Sequence, residues 1–172
     1  MVNKDELLYV VDEHDVPMKP VSRHIAFKKG LWRRTAQVWI VNSKGQVLCQ
    51  KRSLKKDLGP GLWEATVAGH LSPGDNYFTG AAREVREETG LPIEAHHLEL
   101  LKIYKDHKFR EYRGIFYCKW DVNLDELVIE EDEVAEVKLV DLSMVKKHMQ
   151  KSDSWISPGY EKEMFSTLHS QL

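Results

Sequence analysis

The chain of 172 residues has only two cysteines, Cys49 and Cys118. Two thiols make neither a disulfide framework nor a zinc motif, and a cytoplasmic location fits that usage. No run of about 18 apolar residues occurs, so no membrane-spanning helix is expected. The opening MVNKDELLYV lacks the long apolar core of a secretory signal. A formal net charge of −2 gives no electrostatic case for non-specific binding to nucleic acid or to a membrane surface. No internal repeat or low-complexity segment is visible. What is present is an ordinary globular composition, 42% hydrophobic and 30% charged, at a length that suits one domain spanning 1–172.

Residues 69–91, GHLSPGDNYFTGAAREVREETGL, carry the densest chemistry. Glu84, Glu87 and Glu88 stand at i, i+3 and i+4, so a helix places all three carboxylates on one face. Anions side by side cost helix stability unless a positive charge sits among them. Arg83 and Arg86 flank them without neutralising the whole face. A hard divalent cation with oxygen ligands can do so. The opposite face, Phe78, Ala81, Ala82 and Val85, suits a core. Asp75 or Asn76 can cap the N-terminus, Gly90 sits where a left-handed C-cap belongs, and Leu91-Pro92 stops the helix.

The rest of the chain reads as strands around this helix. Residues 7–12 and 16–21 predict an opening hairpin about EHD, and Ser22 can cap a short helix over 22–31. Residues 35–42 and 46–53 read as a second hairpin about Ser43-Lys44-Gly45. A loop over 55–61 leads to a short strand from Trp63. Two alternating strands, 96–108 and 111–122, follow the central helix. An acidic loop over 123–134 precedes a strand at 135–140, and helices are expected over 143–151 and 158–172. Strands with helices on their faces imply an α/β sandwich.

The segment 69–91 resembles the Nudix box, G-x5-E-x7-R-E-U-x-E-E-x-G-U, where U is a bulky aliphatic residue. Every fixed position is met except that Asp75 replaces a glutamate. The flanks, including the opening VVDEHDVPMKPVSR and the run from Arg52 to Trp63, are similar to the isopentenyl-diphosphate-isomerase-like branch, over roughly residues 7–145. The resemblance implies an α/β/α sandwich around a mixed sheet with an N-terminal β-hairpin. It further implies hydrolysis of a small-molecule diphosphate such as a substituted nucleoside diphosphate, with Mg²⁺ as cofactor or Mn²⁺ in its place.

By that resemblance Glu84, Glu87 and Glu88, with the carbonyl at Gly69, ligate the metal. Arg83 holds the carboxylates in place. The general base is Glu87 inside the box or Glu133 on the distal acidic loop, where Glu131 is a neighbour. Arg33, Arg52 and His70 are candidates for binding the diphosphate. Relatives that pair through sheet edges or the hairpin suggest a homodimer. Isomerase chemistry is the alternative, with a catalytically silent sensor a further one. The isomerase uses a cysteine where this chain has Ala68, and upstream histidines where it has Ala26 and Arg33. Its glutamate pair falls on Glu111 and Arg113, and only His70 matches its metal-binding histidine. A methyl cannot shuttle the proton that a thiol does.

Overall fold

The computed structural model describes residues 6–56, 58–65, 67–151, 153–156 and 165–168. Its centre is strand β4 (Trp32–Val41), because every other layer is placed by it. Along one edge β4 runs parallel to β9 (Glu111–Lys119), from Arg33 opposite Glu111 to Val41 opposite Lys119. β8 (Glu99–Asp106) lies antiparallel outside β9. On the other side β5 (Gln46–Arg52) carries the outer strand β10 (Val134–Asp141), also antiparallel. The sheet is therefore mixed.

The hairpin expected over 35–53 forms, but its arms separate. Asn42 closes the turn, accepting from the amides of Lys44 and Gln46. Beyond that, β4 and β5 are in register only at Val41 and Val47. The gap is filled by the segment entering the central helix. β6 (Trp63–Glu64) pairs with β5, and β7 (Val67–His70) pairs with β4. This split in the sheet lies beneath helix α2 (Tyr77–Thr89). At the start of the chain, β1 (Leu7–Leu8) pairs with β3 (Val21–Ser22), whereas β2 (Val10–Val11) crosses to β4. The expected N-terminal hairpin is thus present but divided between two sheets. Helix α1 (Arg23–Lys28) begins after Ser22, whose side chain makes no capping hydrogen bond.

Alternation along β4 and β9 sorts the core onto two faces. Ala36, Val38, Ile40, Phe116 and Cys118 pack against Ala81, Ala82 and Val85 of α2. Trp39, Val41, Ile115 and Tyr117 pack on the opposite face against Leu142, Val145 and Met149 of α3 (Leu142–Lys151), and against Phe165 and Leu168. The result is the expected α/β/α sandwich. Residues 165–168 are helical; the rest of the helix expected over 158–172 lies outside the described residues. No helix among the described residues is long and apolar enough to cross a membrane.

A 13-residue helix is marginal alone, and α2 includes Gly80 and two threonines. Packing and caps hold it. The N-cap is Asn76, whose side chain accepts from the amides of Phe78 and Thr79, while Thr79 Oγ1 accepts from the Asn76 amide. Asp75, the other candidate cap, is used elsewhere, as shown below. Gly90 ends the helix at φ +72°, its amide donating to Arg86 O.

Candidate active site

α2 presents its acidic face to the split between β4 and β5. Gly69 on β7 is the closest approach. A Cβ built there would sit 2.5 Å from Oε1 of Glu84 and closer still to Oε2 and Cδ. Only glycine lets this strand and this carboxylate share the space. Arg83 organises the helix side. Its guanidinium contacts Glu84 and Glu87 at 2.9 Å each, Asp75 at 3.0 Å and the carbonyl of His70 at 2.9 Å. Asp75 also accepts from the Ser72 amide at 2.9 Å, so it orients Arg83 and the loop instead of capping the helix. Burial works against the charge on Arg83, but Glu84, Asp75 and Glu87 outweigh it and keep it firmly protonated.

The three carboxylates differ in environment. Burial pushes Glu84 up to about 7, with repulsion from Glu87 adding and Arg83 opposing. Glu87 is the exposed member, its side chain 57% accessible. Glu88 is partly exposed as a residue, but its carboxyl end is enclosed. Desolvation and then Glu64 raise it well above the usual range, while a hydrogen bond from Gln50 opposes. Glu64, on β6, is itself buried, and burial raises it while Arg52, Gln50 and Lys56 oppose. Among the described residues no three His, Cys, Asp or Glu side chains already converge as a metal cage. Arg83 holds Glu84 and Glu87, and Gln50 donates to Glu88 at 2.7 Å. The donor set nevertheless suits a hard divalent ion. It is all oxygen, Glu88 has a neutral amide as its hydrogen-bond donor, and the backbone at Gly69 lies bare against Glu84.

The remaining candidates fall in different places. Glu133 reaches the edge of this site, paired with Lys56, whose charge is felt by Glu64 and Glu88. Arg52 donates to Glu64 at 2.9 Å and to Leu58 O, so its donors serve the protein itself. Arg33 is buried, donating to Leu31 O, Phe109 O and Glu111, and stacks over Phe27. His70 lies on the same side as Arg33. Its Nδ1 faces Arg23 at 3.4 Å, and its Nε2 stands 3.7 Å from Glu111 without a hydrogen-bond partner. Burial and then Arg23, Arg33 and Arg113 hold His70 well below its ordinary value, so it is neutral. Arg113 closes this second cluster on Glu111 and Asp106, each at 3.0 Å. Sequence reasoning missed Glu64, Gln50 and Lys56. Gln50 and Glu64 meet only through the pairing of β5 with β6, which no local sequence signal announces.

The family model for the NUDIX domain matches residues 31–158. The chain belongs to the Nudix family. As a Nudix hydrolase it acts on diphosphate bonds, in a family that generally uses Mg²⁺ or Mn²⁺. It is 30% identical over 145 residues to isopentenyl-diphosphate Delta-isomerase 2 of Photorhabdus laumondii, covering 80% of this chain and 78% of that protein. To an uncharacterised Nudix hydrolase of Clostridium acetobutylicum it is 25% identical over 167 residues, 91% and 81% of the two chains. Its fold matches a Deinococcus radiodurans structure with TM-score 0.70 at 19% identity, over 95% of this chain and 99% of the other. It also matches the bifunctional NMN adenylyltransferase/ADP ribose pyrophosphatase of Francisella tularensis, solved with AMP and a manganese ion. That match has TM-score 0.59 at 19% identity, over 81% and 42% of the two chains. The Nudix box is the segment from Gly69 to Leu91, and its helix is α2.

Proposed function

We propose that this chain, one domain over 1–172, is a Mg²⁺-dependent diphosphatase acting on a nucleoside-diphosphate-like or other organic diphosphate. The observation that carries the reading is the approach of Gly69 to Glu84 beside two further box carboxylates, with burial raising Glu84 and Glu88. Glu84, Glu87, Glu88 and the Gly69 carbonyl would hold the cation. Bound there, it would lower the pKa of a water and screen the charge on the leaving phosphate.

The chain's own side chains have separate tasks. Arg83 fixes the directions of Glu84 and Glu87 and ties the helix to the loop at His70 O. Glu87 is the general base in this reading, because its carboxylate faces solvent and the cation paired with it among the described residues, Arg83, is a neighbour on its own helix. Glu133 is paired to Lys56, and that makes it the weaker candidate. The Francisella tularensis neighbour is named an ADP ribose pyrophosphatase, and ADP-ribose is the first substrate to try.

The isomerase relative favours a second reading. Against it stand Ala68 in place of a thiol and Arg113 in place of a glutamate. The remaining glutamate, Glu111, has both oxygens engaged by Arg33 and Arg113. One experiment separates the readings. A panel of nucleoside-diphosphate sugars, ADP-ribose, dinucleoside polyphosphates and isopentenyl diphosphate is incubated with Mg²⁺ or EDTA, and products are identified by mass spectrometry. Hydrolysis that needs Mg²⁺ and falls by about 10²–10⁴-fold in Glu87→Gln supports the diphosphatase. Dimethylallyl diphosphate formed without phosphate release supports the isomerase. No turnover of any member supports a silent binding module.

A further inference from the structure

Beyond the box, the structure assigns Glu64 to the cation site as a fourth carboxylate, with Gln50 as the group that keeps its place when no cation is bound. The assignment rests on the diphosphatase reading for the existence of that site. Its own basis is local. Glu64 and Glu88 come from different elements, β6 and α2, yet both are held by the same nitrogen. Gln50 Nε2 lies 2.7 Å from Glu88 Oε2 and 3.2 Å from Glu64 Oε1. Two carboxylates within hydrogen-bond reach of one amide nitrogen are close enough to repel, and the charge of Glu64 adds to burial in raising Glu88.

An amide NH₂ offers two partly positive hydrogens and no net charge. It can bridge two anions, but without a net charge it leaves most of their repulsion in place. Arg52, at 2.9 Å from Glu64, supplies one full charge to the pair, and nothing comparable reaches Glu88 by hydrogen bond among the described residues. A fold that needed only stability at this point would put apolar groups in both positions. The position of Glu64 is also rigid. β6 is pinned to β5 on one side and, on the other, to the segment at Ser154–Ile156 through Trp63, whose amide donates to Ser154 O at 2.8 Å and whose carbonyl accepts from Ile156 at 2.8 Å. Trp63 and Trp155 stack at 5.9 Å above that joint. Glu64 is therefore held toward the box by both neighbours of its strand.

The test is cation binding, read by Mn²⁺ electron paramagnetic resonance on the full chain, with thermal melting in EDTA and in Mg²⁺ alongside. Glu64→Gln keeps size and hydrogen-bonding capacity and removes only the charge. Its Mn²⁺ affinity should fall at least about tenfold and its Mg²⁺-induced rise in Tm should shrink, while its melting in EDTA stays at or above that of the wild type. Gln50→Ala should do the reverse: lower melting in EDTA and Mn²⁺ affinity equal to or tighter than wild type. Mn²⁺ affinity of Glu64→Gln within twofold of wild type overturns the assignment, as does a Gln50→Ala variant that binds Mn²⁺ as weakly as Glu64→Gln. Glu88→Gln measured in parallel tells which idea has failed. If Glu88→Gln binds weakly and Glu64→Gln normally, Glu64 is outside the site; if both bind normally, the cation site itself is misplaced.

Discussion

Substitution of Gly69 by alanine tests the centre of the site with one methyl group. The added Cβ would lie 2.5 Å from Glu84 Oε1, with Oε2 and Cδ nearer. Carbon contacts are comfortable at about 3.5 Å, so the carboxyl group must retreat by more than about 1 Å. Neither backbone can give way. β7 is held to β4 by four successive register pairs, from Thr35 opposite His70 to Val38 opposite Val67. α2 is seated on the sheet by Ala81, Ala82 and Val85. Glu84 must therefore change rotamer, at a cost of about 1 kcal/mol, and leave Arg83. Melting should move by only a few degrees, because the fold keeps its core. Catalysis should fall by about 10²-fold in kcat/KM, the penalty typical of a 1 Å misplacement of a working group, and Mn²⁺ affinity should fall with it. The measurement is Mg²⁺-dependent hydrolysis of whichever panel substrate is turned over, beside Mn²⁺ titration. The double variant with Glu84→Asp, one methylene shorter, should recover part of the loss. Wild-type rate and affinity in Gly69→Ala would refute the placement of Glu84 against this backbone.

Two further outcomes follow from the same geometry. Glu84 has a folded value of about 7 against 4.5 unfolded, so the native state binds more protons between those values and stability falls as pH rises through that window, by up to about 3 kcal/mol. His70 is depressed and acts in the opposite sense below 6.5, so the measurement is the difference in melting between wild type and Glu84→Gln in EDTA. Saturating Mg²⁺ should flatten that difference, and an unchanged slope would argue that the ion binds elsewhere. Gly90→Ala should lower stability by about 1–2 kcal/mol in urea unfolding, because φ is +72° and its Cβ would meet Val128 Cβ at 2.8 Å. Val128→Gly should return the part due to contact, and an unchanged midpoint in Gly90→Ala would contradict the left-handed cap.

What was legible in the sequence is what depends on near neighbours. The three glutamates share a face because of helical spacing, and Gly90 with Leu91-Pro92 ends the helix by local backbone rules. Strands β4, β5, β9 and β10 were visible as alternating runs within a residue or three of their observed ends. The capping residue was ambiguous between Asp75 and Asn76, and it was resolved only by Arg83, which folds back from two turns along the helix to claim Asp75. Glu64 was invisible because its meeting with Gln50 needs β5 and β4 to part, and parting is decided by β6, β7 and β9 competing for their edges. Arg33 and Arg52 read as anion binders because a sequence shows a guanidinium but not its partner. In the fold each already faces a carboxylate of its own chain.

The two clusters that meet at β7 differ in one decisive respect, their balance of charge. On the His70 side, Arg23, Arg33 and Arg113 face Glu6, Glu111 and Asp106, and every pairing is direct. Such a cluster is neutral and closed; it holds β4, β8 and β9 together at their ends and has little to gain from a cation. On the Gly69 side, Glu64, Glu84, Glu87, Glu88 and Asp75 are met by Arg52 and Arg83, with Lys56 already paired to Glu133. The excess of negative charge lies almost wholly where burial is deepest, at Glu64, Glu84 and Glu88, and burial is what makes uncompensated charge costly. With Arg33 and Arg113 at the positions that the isomerase resemblance gives to a metal ligand and an acid, the unmet demand for a positive charge lies on the Gly69 side, on α2 and β6. Chemistry at the carbon skeleton would need proton carriers on the side that is now closed, whereas chemistry at phosphorus needs only the side that is still open to a cation.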